Sequence, residues 1–335
     1  MSDPPTSTNP ARLEATGRAL STVGFLFLAL APVGLAGVSC VVRPDALAAL
    51  VLVPPWFWAL SGVPAMAWAL RSRRRCWVIG LAMIWTGFVL GYVEEAASLS
   101  RSVTSQLRSL PPQTKIIRVV SLNCANTVRC VEDLQAAHPD IALLQEIPGP
   151  EELQQIARTL FGDEGVFLAG HDTAIVARGR IEPQKFDAQG ALVSGIVTLP
   201  EYPPLHCICV RRTPPVFRLD CWAPGFWTDH QARRETHRQE AVEIRNALNA
   251  VDEMPRIVGG DFNTPPLDPT LELLRPTVRD AFLTSGVGLG GTGTNDFPLF
   301  RVDQIWCSTR PIRTFAQKTK HSDHRMVVCD LVSPE

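Results

Sequence analysis

Five short polar clusters stand beside apolar runs in the C-terminal two thirds of the chain: Ser121-Leu122-Asn123, Leu144-Gln145-Glu146, Gly260-Asp261-Phe262-Asn263, Arg301-Val302-Asp303 and Ser322-Asp323-His324. Asn123, Glu146, Asp261 and Asn263 fall at the carboxyl ends of strand-like runs. Asp303 sits early in another run, and Ser322-Asp323-His324 immediately precedes the last. Loops at strand ends can converge on one mouth. Carboxylates, two carboxamides and a His, without a Ser or Cys in a Gly-x-Ser-x-Gly setting, suit a hard oxygen-ligated cation and hydrolysis by water. Singly each residue has an ordinary explanation: Asn123 and Asp261 as turn residues, Glu146 as a solvated strand end, His324 as a structural histidine.

Positioning them requires strands, and the pattern supplies them. Residues 115–122, 140–145, 173–177, 191–199, 205–210, 217–222, 256–259, 301–307 and 326–331 read as strands. Residues 131–138 read as a helix, and 233–251 as a long amphipathic one with Ala241, Ile244, Leu248 and Val251 on one face. Many strands with few helices predict an α/β sandwich rather than a regularly alternating doubly wound sheet.

In order, the five clusters resemble the signature blocks of the endonuclease/exonuclease/phosphatase superfamily, over nearly the whole span 115–332. The resemblance implies a four-layer α/β sandwich of two mainly antiparallel or mixed sheets flanked by helices. It also implies phosphoester hydrolysis with Mg2+, for which Mn2+ is a candidate substitute. Glu146 would hold the cation, and Asn123 would complete its coordination or contact the phosphate. Asp323 would add a second metal contact. Asp261 would orient or deprotonate the attacking water, and Asn263 would donate to phosphoryl oxygens. His324 would stabilise or protonate, with Asp303 fixing its tautomer and favouring its charged form. The arrangement with an apolar N-terminal region resembles a membrane-anchored bacterial branch.

One position departs from the family pattern. Many relatives place a His or Tyr after the strand preceding the long helix, and here Trp222 is expected there. Trp donates one hydrogen bond and cannot titrate. Either the role is dispensable, or His171, His230 or His237 takes it, or catalysis is weakened. Gly286-Val287-Gly288-Leu289-Gly290-Gly291 has dinucleotide-fingerprint spacing but lacks a preceding strand and a following helix, so it reads as a flexible loop. His206-Cys207-Ile208-Cys209 reads as a core strand, since alternation points His206 away from both cysteines.

The 335 residues are 46% hydrophobic and 19% charged, with net charge −1 and mean hydropathy +0.08, which excludes disorder as the main state. The average hides a shift. Residues 1–95 contain three uncharged apolar stretches, at about 21–42, 46–70 and 76–93, which predict three transmembrane helices. Residues 96–114, ending in Pro111-Pro112, read as a linker, and 115–335 as the catalytic domain. Arg12, Arg18, Arg71, Arg73, Arg74 and Arg75 place the N-terminus and second connection in the cytoplasm, and so the catalytic domain outside it. That compartment permits disulfides, with Cys124 and Cys130 the first candidates and Cys209–Cys221 and Cys307–Cys329 behind them.

The expected protein is a multi-pass, membrane-anchored phosphoesterase that acts outside the cytoplasm on a phosphomonoester, a phosphodiester or a lipid-linked phosphate. From residue 111 onward there are 28 acidic and 23 basic residues, which disfavours the alternative of an extracellular nuclease acting on DNA or RNA. A third reading, from another class, is a weakened domain that only binds a phosphorylated partner.

Overall fold

The computed structural model describes residues 22–23, 27, 30–32, 34–71, 75–104, 114–184, 192–251 and 253–334. Its contacts divide the chain into two units, one of Met1–Val42 with Pro55–Val93, the other of Arg43–Pro54 with Glu94–Glu335.

The described residues of the first unit are mostly helical and apolar. Helices Gly62–Arg71 and Arg75–Tyr92 pack through Ala65, Ala69 and Leu81, flanked by Trp68, Trp77 and Trp85. Val63, Ile79, Met83 and Leu90 are exposed on these same helices.

The predicted span 46–70 is not one helix. Residues Ala48–Val51 make a single turn that belongs to the second unit, and the chain restarts as Pro55–Ala59 and then Gly62–Arg71. Pro54 and Pro55 lack the N–H that a continuous helix would need there. The predicted span 21–42 ends in a π-helical Val38–Val42, and several of its residues lie outside the described ones. No single helix among the described residues is long and apolar enough to cross a membrane. Asp45–Val51 with Pro55–Arg71, and Cys76–Tyr92 with Glu94–Val103, satisfy the length and composition only as interrupted pairs. The expected linker begins as helix α1, Glu94–Thr104, while residues 105–113 lie outside the described ones, as do Arg12, Arg18, Arg73, Arg74 and the Arg75 side chain.

The second unit holds two mixed six-stranded sheets. The first has β1 (Ile116–Asn123), β2 (Ile141–Gln145), β3 (Gly165–Ala169), β4 (Thr173–Arg178), β11 (Pro311–Gln317) and β12 (Met326–Val332), in the order β11-β12-β1-β2-β4-β3. The second has β5 (Arg180–Pro183), β6 (Leu192–Thr198), β7 (Leu205–Arg211), β8 (Arg256–Asp261), β9 (Arg279–Asp280) and β10 (Asp303–Cys307), in the order β5-β6-β7-β8-β10-β9. Only β1–β2 and β7–β8 are parallel among these pairs.

Three buried layers explain why the strands read as continuous apolar runs. Val119, Leu143, Ile175, Cys207, Ile257 and Ile305 meet between the sheets. The alternate residues Leu122, Leu144 and Val176 pack outward on Leu134 of α2 (Cys130–Ala137) and Ile156 of α3 (Pro150–Phe161). On the other side Ile208, Val258 and Trp306 cover Ile244 and Leu248 of α4 (Pro224–Asn249). The result is the expected α/β sandwich.

Residues 217–222 do not form the predicted strand. Phe217, Leu219 and Trp222 are 85%, 93% and 82% exposed on an irregular connection between Pro214-Pro215 and Pro224. They cannot pair with the strand they follow, because β7 is already flanked by β6 and β8.

Candidate active site

Strand register assembles the site. Arg211, the last residue of β7, pairs with Asp261 at the end of β8, and Asp261 pairs in turn with Asp303 at the start of β10. Directly paired residues share a face of the pleat, so these three form one row. Gly260, at φ 152°, permits the close approach of β7, since a Cβ there would lie 1.8 Å from the Val210 carbonyl oxygen. In the other sheet Asn123 pairs with Gln145, and Glu146 follows in the left-handed region at φ 46°. The Cys124 and Asn126 amides donate to the carbonyls of Gln145 and Glu146, at 2.7 and 2.9 Å, and hold that turn.

Each carboxamide serves a carboxylate. Asn123 Nδ2 donates to Glu146 Oε1 at 3.0 Å, while its Oδ1 accepts from the Ala125 amide at 3.0 Å. Asn263 Nδ2 donates to the Arg212 carbonyl at 2.7 Å and to Asp261 Oδ2 at 3.2 Å. Both carboxamides thus contact a neighbouring carboxylate, Asn123 that of Glu146 and Asn263 that of Asp261.

His324 Nδ1 shares a 2.8 Å hydrogen bond with Asp303 Oδ2. Ser322 positions this turn, donating to the Asn123 carbonyl at 2.6 Å and accepting from the His324 amide at 3.0 Å. Thr292 Oγ1 accepts from the Asp303 amide at 2.9 Å. Burial alone would lower the His324 pKa, but the Asp303 carboxylate, with Asp261 and Asp323 behind it, raises it to about 9. Burial first, then the Asp303 charge, push Asp261 up to about 7. The site thus pairs a carboxyl that can take a proton near neutrality with an imidazolium that can give one.

Asp261, Asp303 and His324 present ligand atoms within 4.8 Å of one another. Asp303 Oδ1 is buried without a hydrogen-bond partner among the described residues. An orphaned carboxylate oxygen beside a second carboxylate fits a hard divalent cation.

The sequence model of the Endonuclease/Exonuclease/phosphatase family matches residues 120–324, which include every one of these side chains. The chain belongs to that family. Members of the endonuclease/exonuclease/phosphatase family hydrolyse phosphoesters. No curated protein sequence matches the chain. Among solved structures, a family protein from Bacteroides thetaiotaomicron is 15% identical with a TM-score of 0.52, covering 67% of this chain and 100% of its own. Another from Bacteroides vulgatus is 15% identical with a TM-score of 0.50, covering 66% and 100%. A mannosyl-6-phosphatase from Bacteroides thetaiotaomicron VPI-5482 is 16% identical with a TM-score of 0.50, covering 64% and 99%. At these identities the likeness is one of fold.

Not every residue of the family blocks enters the site. Asp323 is exposed and outside the cluster of Asp261, Asp303 and His324. Arg301 turns away, paired with Asp280 at 2.7 Å and Glu94 at 2.8 Å. Trp222 is not at a strand end, because the sheet strand before α4 is β7 and it finishes at Arg211. Among the described residues, none of the histidines expected as its substitutes belongs to the group of Asp261, Asp303 and His324. His171 is exposed, and His230 lies against Phe226 with its pKa lowered by burial. His237 is locked between the Thr213 carbonyl and Thr264 Oγ1, at 2.8 and 3.0 Å.

Arg211, Asp172 and Thr292 are the residues that the sequence did not disclose. Arg211 Nη2 donates to Glu146 Oε1 at 2.7 Å, and Nη1 to Asp172. Its one available signal was a basic residue closing an apolar strand. The glycine-rich run 286–291 follows a short helix, α5 (Ala281–Ser285), and leads to Thr292. His206 bonds Ser194 Oγ at 2.8 Å while Cys207 and Cys209 face the inter-sheet core, as the alternation predicted. The described cysteines are free, and Cys124 is buried with Cys130 as a side-chain hydrogen-bond neighbour.

Proposed function

We propose that this chain is a divalent-cation-dependent phosphoesterase, with Mg2+ as the working ion, that cleaves a lipid-linked phosphate by attack of water. The observation that carries the reading is the geometry of three neighbours: Asp261 lies across the ladder from Asp303, Asp303 holds His324 through a 2.8 Å hydrogen bond, and the three present ligand atoms within 4.8 Å of one another. Asp261 takes a proton from water as its oxygen bonds to phosphorus. Asn263 keeps the Asp261 carboxylate oriented throughout. The bond from phosphorus to the leaving oxygen breaks, and His324 gives that oxygen a proton. Asp303 stabilises the imidazolium before the transfer. A cation held by Glu146, Asp261 and Asp303 would polarise a phosphoryl oxygen and offset the charge that builds there.

Two features support a lipid-linked substrate at a membrane. Val63, Ile79, Met83 and Leu90 leave the N-terminal helices with exposed apolar surface. The connection leaving β7 beside the site exposes Phe217, Leu219 and Trp222. We place the catalytic unit outside the cytoplasm because arginines cluster before the first apolar stretch and in the second connection. A reporter fused after Pro334 that is active only in the cytoplasm would overturn that placement.

The activity is tested on purified full-length protein with a long-chain prenyl phosphate, p-nitrophenyl phosphate and single-stranded DNA. Chelation should stop hydrolysis, Mg2+ or Mn2+ should restore it, and Glu146→Gln should lower turnover at least ~100-fold. Activity indifferent to chelator discards the cation, and DNA as the best substrate reverses the choice of substrate. Binding without hydrolysis of any of the three substrates would make this a binding domain.

A further inference from the structure

The strongest unassigned group is Arg211. It stands in the row with Asp261 and Asp303 yet reaches across the mouth of the sandwich to Glu146 and Asp172 of the facing sheet's loops. Its two terminal nitrogens are taken by those carboxylates, and its buried Nε has no partner among the described residues. Glu146 Oε1 accepts from Arg211 and Asn123 together, so the oxygen that the phosphoesterase reading gives to the cation is also a guanidinium site. A divalent ion at that oxygen and a guanidinium on the same oxygen repel each other.

Charge argues in the same direction. Glu146 and Asp172 set two carboxylates against the one guanidinium of Arg211, and a divalent cation at Glu146 would add positive charge beside that guanidinium and weaken its hold there. With the cation in place, a guanidinium released from Glu146 becomes the free positive group of the site. Its planar fork matches two oxygens of one phosphoryl group, which an ammonium cannot do.

We propose that Arg211 is the phosphoryl-binding residue, held on Glu146 and Asp172 until a divalent cation takes Glu146 and frees it for the substrate's phosphate. This exchange rests on the phosphoesterase reading above. It makes cation binding and phosphate binding cooperative, because each favours the state in which Arg211 has left Glu146. It also gives the strand end at β7 a role that no histidine or Trp222 supplies.

The test compares purified full-length wild type, Arg211→Gln and Arg211→Lys, with Mn2+ binding read by electron paramagnetic resonance and orthophosphate binding by calorimetry. Arg211→Gln should bind Mn2+ more tightly, because the competitor at Glu146 is gone. The same variant should bind orthophosphate in the presence of Mg2+ roughly tenfold more weakly, and KM should rise more than kcat falls. Arg211→Lys keeps the charge and should recover part of the phosphate affinity, which a merely structural arginine would not predict. If both constants move in the same direction, or neither moves, the exchange is wrong. If hydrolysis proves cation-independent while the opposed shifts persist, the activity reading falls and the exchange stands. Cation-dependent hydrolysis without those shifts removes the exchange alone.

Discussion

Asp303 lies directly across the β8–β10 ladder from Asp261, and it is Asp303 that holds His324, through a 2.8 Å hydrogen bond to Nδ1. Two carboxyls in one ladder pair thereby acquire different work. Asp303 has an imidazolium to neutralise it, while Asp261, buried beside that charge, is left to titrate near neutrality.

Asp261 sets a stability trend that can be measured. Its folded pKa of about 7 exceeds the ordinary value of 3.8, so its contribution is fully present below about pH 3.8 and is lost as pH rises through 7. In cation-free protein at pH 8, the ionised buried carboxylate is a cost. Asp261→Asn should lower turnover ~100-fold or more yet raise the melting temperature at pH 8. The gain should shrink toward pH 5, and saturating Mg2+ should reduce it by favouring the ionised form. Thermal unfolding across pH 5–8 reads this directly, and a variant less stable than wild type at pH 8 would assign Asp261 a structural role.

His324 gives the opposite signature. Its folded pKa, about 9 against an ordinary 6.5, makes its contribution fully present below about pH 6.5 and lost as pH rises through 9. His324→Gln should therefore narrow its stability deficit between pH 7 and 10. Asp303→Asn should bring the alkaline limb of the rate profile down toward neutrality, because the imidazolium loses its main support. A limb that stays near 9 in that variant would mean that Asp303 does not sustain the charge on His324.

Much of this site is legible in the sequence because its residues end apolar runs, where a pleated strand must stop and a polar side chain can meet the loops that gather at the strand ends. Asn123, Glu146 and Asp261 follow that rule, and their strands fall within a residue or two of the pattern. What stays hidden has physical reasons. Arg211 looks like the solvated tail of β7 until the parallel pairing with β8 sets it beside Asp261. Helix α3 carried a readable signal in buried Leu153, Ile156 and Ala157, at spacings of three and one, after a Gly149 amide that donates to Glu152 at 2.9 Å. Helix α4 begins at Pro224, nine residues before the expected Arg233, and its N-terminal half was hidden because after Phe226 it buries the polar His230, Arg234 and His237. Hydropathy could not separate a continuous span from one divided by Pro54 and Pro55, and it gave no sign that residues 43–54 belong with the catalytic unit.

Arg301 should prove structural although it lies two residues from Asp303. It is buried between Asp280 and Glu94, with bidentate contacts to each, and stands over the Phe282 ring at 5.0 Å. Asp280 also caps α5 through the Phe282 and Leu283 amides. Arg301→Ala would strand two carboxylates, at a cost of roughly 3–5 kcal/mol. Glu94→Gln leaves the Asp280 pair intact and should cost less. Denaturant titration of the full-length variants checks the order, and equal losses would show that the Asp280 contact carries no special weight.

Residues 217–222, strand-like in pattern and irregular in the fold, have a testable use. Phe217, Leu219 and Trp222 are each more than four-fifths exposed, on a connection that begins just after Arg211 and Arg212 and ends at Pro224. Three large apolar side chains in water lack a reason within the domain, since none contributes to its three cores. An acyl or prenyl chain attached to the phosphate would give them one, and each such side chain transferred from water contributes on the order of 1.5–3 kcal/mol when fully buried. Replacing all three with serine should leave the melting temperature nearly unchanged, because no core contact is lost. Hydrolysis of p-nitrophenyl phosphate should stay close to wild type, while kcat/KM for a long-chain prenyl phosphate should fall at least ~10-fold. Shortening the chain should reproduce the defect in wild type and have little effect on the triple variant. Equal losses on both substrates would place the loop in catalysis rather than lipid contact, and no loss on either would remove the lipid from its role.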